Sequence, residues 1–133
     1  MYQKFGDIFL KFELFWILTL WVGPELPEPR YSHCLAYDKE DDVFFVTGGY
    51  KSGAKSTVWK FKDPLKFILN GTTQMNKARY EHACGIYKHN GTKLLIVAGG
   101  YGGGSECEFY DYTKADSQWQ LCSKIDSLFL VQH

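Results

Sequence analysis

The sequence lacks a surplus of either charge and any hydrophobic run long enough to cross a membrane. Its 133 residues carry 15 Lys and Arg against 15 Asp and Glu. No basic excess is therefore present to neutralise phosphates, and we expect no nucleic-acid partner. The longest apolar run, residues 14–22, is about half of the ~20 residues that a transmembrane helix needs. We therefore expect no membrane span.

The same apolar run leaves two interpretations of the first 26 residues open. Lys4 and Lys11 precede it, as in the leader of a secreted protein, whereas Asp7, Glu13 and the missing small-residue cleavage site oppose that interpretation. The alternative is one or two buried strands. The sequence allows a cytoplasmic or a secreted chain. Asn70 and Asn90 each begin an N-glycosylation triplet, but Asn-Gly also suits a tight turn.

Four cysteines are present, and none belongs to a C-x-x-C pair. We therefore expect no zinc site and no other metal or cofactor. Cys107 and Cys122 would face each other across a hairpin if Tyr110 pairs with Trp119, at a separation that a disulfide tolerates. Two reduced neighbours explain the same placement. In a cytosolic chain all four would be small core residues.

What the sequence does contain is an internal repeat. Arg30 and His33 recur 49 residues later as Arg79 and His82. The apolar segment 43–47, which is followed by Gly-Gly-Tyr, recurs 51 residues later. The difference of two predicts an insertion in the turn around residues 89–92. Repetition at this period indicates an array of similar units.

Each unit predicts four short strands joined by polar turns, because apolar runs and alternating segments of strand length follow one another. Short connections make each set an antiparallel meander in an all-β chain. A continuous apolar run such as 43–47 is typical of a strand buried on both faces. The predicted strands are 33–37, 43–47, 56–61 and 67–69 in the first unit, and 82–87, 94–98, 107–112 and 118–122 in the second.

These motifs together resemble the kelch repeat, in which an apolar strand ending in Gly-Gly is followed by a Tyr and then a Trp. The second unit carries the whole pattern in Gly99, Gly100, Tyr110 and Trp119. In the first unit Gly48 and Gly49 are followed by Trp59 in place of the Tyr, and Phe67 or Ile68 must stand for the Trp. WD40 repeats are shorter, about 40–45 residues, and no Trp-Asp pair closes a strand here.

The resemblance implies an all-β kelch-type β-propeller, seen as two four-stranded antiparallel blades and part of a preceding blade. The ring is incomplete, so both flanking faces would be open and apolar, and further blades or a partner would have to cover them. We expect a fragment of a larger propeller. The predicted divisions are the end of a preceding blade or an apolar leader at 1–26, blades at 27–74 and 75–124, and a tail at 125–133.

Recurrence also assigns structural roles to the repeated polar residues. Arg30 and Arg79 precede the innermost strands and are expected to hydrogen-bond loop carbonyls. His33 and His82 occupy equivalent positions, so we interpret them as framework residues and not as metal ligands or catalytic groups. The predicted structural signature comprises Arg30, His33, Gly48, Gly49, Trp59, Arg79, His82, Gly99, Gly100, Tyr110 and Trp119.

The resemblance implies a protein-interaction scaffold that binds another protein or a peptide, in some proteins as the substrate-recognition part of a larger protein. In kelch proteins partner peptides commonly dock on one rim, which here predicts Tyr50, Lys51, Lys55 and Tyr101 as the binding residues. A secreted adhesion protein and a fragment of a propeller enzyme, similar to a copper oxidase or a sugar isomerase, are the alternatives. No acid–base pair or ligand set is evident, so we expect no enzyme and no cofactor.

Overall fold

The computed structural model describes residues 2–5, 8–12, 18–22, 26–62 and 74–123. Ten β-strands and their connections account for these residues, and no α-helix occurs among them. The strands form three antiparallel sheets, each of which follows chain order as a meander. The prediction of an all-β, antiparallel chain is therefore confirmed for the residues that the structure describes.

Sheet I consists of β1 (Tyr2–Phe5), β2 (Ile8–Phe12) and β3 (Leu18–Val22). The order is β1-β2-β3. The sequence pattern leaves a leader, one or two strands or a helix open for this part of the chain, and the structure has three strands, with β1 before the apolar run. Two of the four residues of β1 are polar, so it lacks the apolar run that marks a strand in sequence.

Sheet II consists of β4 (Cys34–Asp38), β5 (Val43–Thr47) and β6 (Val58–Lys62). The central strand β5 is buried at all five positions, as predicted for a strand covered on both faces. The fourth strand that the sequence predicts at 67–69 lies outside the described residues.

Sheet III is the four-stranded meander predicted for the second unit. It consists of β7 (Ala83–His89), β8 (Thr92–Ala98), β9 (Cys107–Asp111) and β10 (Gln120–Leu121). Gln120 pairs with Phe109 and Leu121 with Glu108, which is the register that the Tyr110–Trp119 pairing predicts. The rings of Tyr110 and Trp119 stack with centroids 5.6 Å apart.

The two extra residues of the second unit lengthen its strands and not its turn. In sheet II, β4 and β5 have five residues each and residues 39–42 join them. In sheet III, β7 and β8 have seven residues each, and only Asn90 and Gly91 separate them. Their φ angles of 47° and 79° fit the positive values that a two-residue type I′ turn requires at both positions. The two extra residues therefore lie where the insertion is predicted, around residues 89–92, but they extend the strand ladder and not the turn.

Sheets II and III share a hydrophobic core. Alternation along β5 points Val43 and Phe45 towards sheet III, where they pack with Leu95, Val97 and the buried Trp119. Burying these apolar side chains stabilises the folded chain by about 25 cal/mol for each Å² removed from water. Because residues of both sheets belong to one cluster, the interface is continuous with the cores of both sheets.

The opposite face of sheet II is also buried. Phe44 and Phe61 stack with centroids 4.9 Å apart and are fully buried, and Leu26 packs against the cluster that they form with Val46 and Trp59. The prediction that this flanking face is open is therefore wrong for sheet II.

All four cysteines, each of which lies in the described part of the chain, form disulfides. Cys34 on β4 is bonded to Cys84 on β7, with the Cα atoms 6.0 Å apart and the two residues 50 positions apart in sequence. Closing such a loop stabilises the folded chain by about 4 kcal/mol in the chain-entropy account. Cys107 is bonded to Cys122 with the Cα atoms 5.2 Å apart, so the disulfide alternative holds for that pair. The sequence does not predict the pairing of Cys34 with Cys84, and the alternative for a cytosolic chain, four unpaired core residues, is not what the structure has.

Candidate functional site

Four tyrosines lie together at one end of sheets II and III and form what we call the tyrosine row. Each belongs to a repeated motif, either Arg-Tyr or Gly-Gly-Tyr. Two antiparallel bridges hold the backbone, Tyr31 to Tyr50 and Tyr80 to Tyr101. The amides of Tyr50 and Tyr101 donate to the carbonyl oxygens of Tyr31 and Tyr80, both at 2.9 Å. Each bridge therefore extends one hairpin, β4–β5 or β7–β8, beyond its Gly-Gly pair.

The four rings make a continuous series of contacts across both sheets. Ring centroids lie 5.4 Å apart for Tyr31 and Tyr50, 4.9 Å for Tyr50 and Tyr80, and 5.2 Å for Tyr80 and Tyr101. The edge-to-face contact of Tyr50 with Tyr80 crosses from one sheet to the other. Tyr31 is 61% exposed and Tyr101 62% exposed. The row is therefore one aromatic surface that both units build and that faces solvent.

One phenol of the row, Tyr80, is kept in its neutral form. Loss of solvent around the phenol raises the pKa of Tyr80, and Tyr50 and the carboxylate of Glu81 raise it further. A neutral phenol donates one hydrogen bond and also accepts. The row therefore presents hydroxyl groups on apolar rings, and Tyr80 adds no negative charge to it near neutral pH.

Backbone strain is concentrated beside the row. Ser32 and Glu81 directly follow Tyr31 and Tyr80, and their φ angles are 56° and 52°. Ser52, two residues after Tyr50, has a φ angle of 53°. Positive φ in such residues costs about 1–3 kcal/mol each and is enriched at functional sites. The Glu81 amide donates to the Ser32 carbonyl at 2.9 Å, so these strained residues also join the two units.

The repeated arginines hold the loops behind the row. Arg30 donates from Nη1 to the Gly48 carbonyl at 3.0 Å, and Arg79 donates from Nη1 to the Gly99 carbonyl at 2.9 Å. Gly48 and Gly99 are the first glycines of the two Gly-Gly pairs. These are the bonds to loop carbonyls that the sequence predicts for both arginines.

Arg79 is part of a fully buried ion pair. Its Nη2 donates to Glu108 Oε2 at 2.8 Å, and neither side chain has exposed surface. Glu108 also accepts from the backbone amides of Asn76 and Lys77 at 2.7 and 3.2 Å. These bonds satisfy a carboxylate whose burial would otherwise be costly.

The guanidinium of Arg30 is also mostly buried, but its side-chain partners are a partly exposed carboxylate and a hydroxyl. Its Nη2 donates to Glu28 Oε2 at 3.0 Å and to the Thr57 hydroxyl at 3.1 Å. Thr57 precedes Glu108 by 51 residues and is its equivalent in the first unit. The guanidinium carbon also lies 3.9 Å from the ring centroid of Trp59, a distance at which cation–π attraction is effective. Trp59, which replaces the expected Tyr, therefore carries an electrostatic role as well as packing.

Two glycines behind the row are required by close approach. A Cβ on Gly48 would collide with the Arg79 carbonyl oxygen, and its φ of 58° is already unfavourable for other residues. A Cβ on Gly103 would collide with the guanidinium of Arg79. Within the glycine-rich segment 99–104, Gly103 is therefore packed against Arg79.

The two histidines have the framework positions expected of them. A Cβ on Gly49 would approach His33, and one on Gly100 would approach His82, so each histidine packs against the second glycine of its unit. His82 Nε2 lies 2.7 Å from the Thr47 hydroxyl across the sheet interface. Burial lowers the pKa of His82 to about 4, with Arg79 and His33 contributing. In the described part of the chain no three His, Cys, Asp or Glu residues are grouped as a metal site.

The predicted rim residues are only partly brought together. Tyr50 and Tyr101 lie in the row but make no direct ring contact with each other, because Tyr80 stands between them. Lys51 is exposed beside the row. Lys55 instead lies 3.6 Å from Glu28, and its carbonyl accepts from the Arg79 amide at 3.0 Å. Sequence reasoning does not name Tyr31 and Tyr80, although the repeated Arg-Tyr pair is a signal that identifies both.

A second polar cluster, also not predicted, lies at the opposite end of the sheets. The buried Asp38 accepts hydrogen bonds from Lys88 Nζ and, at 2.8 Å, from the Tyr112 hydroxyl. Burial by itself raises the pKa of Asp38, but the hydrogen bonds from Lys88 and Tyr112 outweigh it and lower the pKa to about 2. Lys93 pairs with Asp41 at the surface of the same cluster. These pairs join β4 and its turn to β7 and β8.

Comparison with known proteins assigns no family. No protein-family model matches the chain, and no curated protein matches it. Within the described ranges, no helix combines the length and apolar character needed to span a bilayer.

Proposed function

We propose that this chain is a protein-interaction scaffold built of kelch-type β-propeller blades, and that the tyrosine row docks an extended peptide of a partner protein. The observation that carries the proposal is the continuity of Tyr31, Tyr50, Tyr80 and Tyr101 across two sheets, with both outer rings more than 60% exposed. Exposed apolar patches mark interaction sites, and tyrosine is enriched at protein interfaces.

The arrangement of the sheets supports the propeller part of the proposal. Sheets II and III are meanders with the same strand order, and they share a core and a disulfide between their first strands, β4 and β7. Blades of a propeller stack face to face with their innermost strands towards one axis. In this interpretation residues 27–74 and 75–124 are two blades, and residues 1–26 belong to a preceding blade.

The chemistry of the row favours a peptide with apolar side chains and free backbone groups. Tyrosine brings a large contact area with few rotatable bonds, so ordering it costs little entropy. Three ring spacings of 4.9–5.4 Å correspond to about five residues of extended chain at 3.3 Å per residue. The tyrosine hydroxyls can hydrogen-bond the backbone of such a peptide.

Selection from a library of peptides displayed on phage, with the immobilised full chain as the target, tests this proposal. Selected peptides are then synthesised, and their affinity is measured by isothermal titration calorimetry. Tyr101→Ala is expected to weaken binding at least about tenfold, which is the 1.4 kcal/mol typical of an interface anchor. Tyr101 lies in a loop and is 62% exposed, so this substitution leaves the core intact.

Tyr87→Ala is the matched control. Tyr87 is 45% exposed, but it lies on β7 outside the row. The control variant is expected to bind selected peptides as the wild type does. Equal affinity of the Tyr101→Ala variant and the wild type would contradict docking on the row, as would equal losses in both variants.

A further inference from the structure

The tip of the β7–β8 hairpin carries an acceptor triplet for N-linked glycans. Asn90 and Gly91 form the two-residue turn, and Thr92 is the first residue of β8. Asn90 and Gly91 are both exposed. The amide Nδ2 of Asn90 lies 3.2 Å from the His89 ring nitrogen at the surface, so the group that would be modified is not buried in the sheet.

Turn chemistry accounts for only part of this triplet. Asn-Gly is a favoured pair for a type I′ turn, because both residues tolerate positive φ. That preference places no demand on residue 92, where the acceptor sequence requires Ser or Thr. The corresponding connection in sheet II, residues 39–42, is built of Lys, Glu and Asp and contains no such triplet.

The disulfides supply an independent observation. All four cysteines are paired, as Cys34–Cys84 and Cys107–Cys122. Structural disulfides persist in secreted proteins and in the lumen of the secretory pathway, and they are rare in the reducing cytosol. N-linked glycans are added in that same lumen. Both features therefore point to one compartment.

The triplet also lies away from the tyrosine row. Tyr80 and Tyr101 bridge at the open end of the β7–β8 hairpin, whereas Asn90 is at its closed end. The seven residues of β7 separate the two ends by about 23 Å at 3.3 Å per residue. A glycan on Asn90 would therefore extend from the end opposite the row and leave the row accessible.

We propose that Asn90 is an acceptor for N-linked glycosylation. The co-substrate is an oligosaccharide joined through its first sugar to a polyprenyl diphosphate. The Asn90 Nδ2–C1 bond forms, the bond from C1 to the diphosphate oxygen breaks, and the lipid diphosphate leaves with the bonding electron pair. The amide loses one proton to a base of the transferring enzyme. No oxidant or reductant is consumed.

The test uses the full 133-residue chain, fused to a cleavable secretion signal and expressed in cultured mammalian cells. The chain is collected from both the cells and the medium, so that retention does not bias the result. Amidase treatment in ¹⁸O-labelled water converts a glycosylated Asn to labelled Asp, and peptide mass mapping identifies the position. Non-reducing mapping of the same sample reports both disulfides.

We expect labelled Asp at position 90 in the wild type and in the Asn70→Gln variant, which removes the other triplet. Thr92→Ala keeps the Asn-Gly turn but destroys the acceptor sequence, so we expect the label at position 90 to disappear. A chain that has formed both disulfides and yet carries unmodified Asn90 would overturn the proposal. A label at position 90 that persists in Thr92→Ala would overturn it too, because deamidation would then be its source.

Discussion

Sheets II and III each contain the repeated arginine, but the positive charge of that arginine is balanced by different partners in the two sheets. Arg30 and Arg79 each bond the carbonyl of the first glycine of a Gly-Gly pair. Arg79 then meets Glu108 in a fully buried pair, whereas Arg30 meets the Thr57 hydroxyl, the partly exposed Glu28 and the face of Trp59. The backbone contact is repeated and the charge partner is not.

This difference separates what the repeat requires from what each unit adds. The repeat requires a guanidinium at the glycine carbonyl, because that bond positions the loop that presents the next tyrosine. The fully buried carboxylate of Glu108, at the position equivalent to Thr57, is an addition of the second unit. A fully buried charge pair costs more to break than a partly exposed one, since the remaining charge has no water to solvate it. The second unit should therefore be more sensitive to substitution at its partner residue.

The largest difference is expected between Glu108→Gln and Thr57→Val. Glu108→Gln leaves the buried Arg79 without a countercharge and should lower the free energy of unfolding by about 3–5 kcal/mol. Thr57→Val removes one bond to Arg30, which keeps Gly48 and Glu28 as partners, and should cost about 0.5–1.5 kcal/mol. Urea denaturation followed by tryptophan fluorescence measures both. Equal losses in the two variants would contradict the contrast between the units.

A smaller difference is expected between the first glycines of the two pairs. Gly48 and Gly99 both have positive φ, but a Cβ on Gly99 would meet no atom within 4 Å. Gly99→Ala should therefore cost only the strain of positive φ, about 1–2 kcal/mol. Gly48→Ala adds the collision with Arg79 and His82, which is worth about 1–3 kcal/mol more.

Gly85→Ala is the control for this pair. It lies on β7 with ordinary φ and with nothing near its would-be Cβ. The free energy of unfolding of the Gly85→Ala variant should stay within about 0.5 kcal/mol of the wild-type value. If the variants at Gly48 and Gly99 lose equal stability in urea denaturation, close approach between the two units is not what requires Gly48.

The last expected effect concerns pH and the contact of His82 with Thr47. The pKa of His82 is about 4 in the folded chain, below its ordinary 6.5. The unfolded chain therefore takes up a proton first as pH falls, and stability declines from pH 6.5 down to about 4. The carboxyl of Asp38 contributes in a lower window, between 3.8 and about 2.

Denaturation midpoints at pH 6.5 and pH 4 measure this decline. His82→Gln keeps a polar group near the Thr47 hydroxyl and should make the decline shallower. His89→Gln, at the hairpin tip, should leave the contribution of His82 in place. An equal decline in the wild type and in His82→Gln would show that His82 does not titrate as described.

Much of the fold follows from the sequence because its signals are local and repeated. The apolar run of β5, the Gly-Gly pairs and the pairing of Tyr110 with Trp119 each predict a neighbour close in the chain. The second unit forms the four strands that its pattern predicts, although their bounds shift and β10 spans only Gln120–Leu121. β1 does not follow, because its apolar signal is weak.

Contacts between the units are harder to predict, because they depend on how two sheets face each other. The bond between Cys34 and Cys84 joins residues 50 positions apart, and Asp38 finds Lys88 and Tyr112 only across the interface. Tyr50 likewise meets Tyr80 through sheet packing and not through sequence spacing. Repeat equivalence identifies which residues are alike, but it does not state which of them touch.

The most direct test of the account is whether one peptide depends on tyrosines from both units. Titration calorimetry with a single selected peptide compares the wild type with Tyr50→Ala, Tyr101→Ala and the double variant. Because the row is one surface, each single substitution should weaken binding at least about tenfold, or 1.4 kcal/mol, and the double variant should bind more weakly than either. If only one of the single variants loses affinity for the peptide, or if neither does, the result would contradict a binding surface that sheets II and III build together.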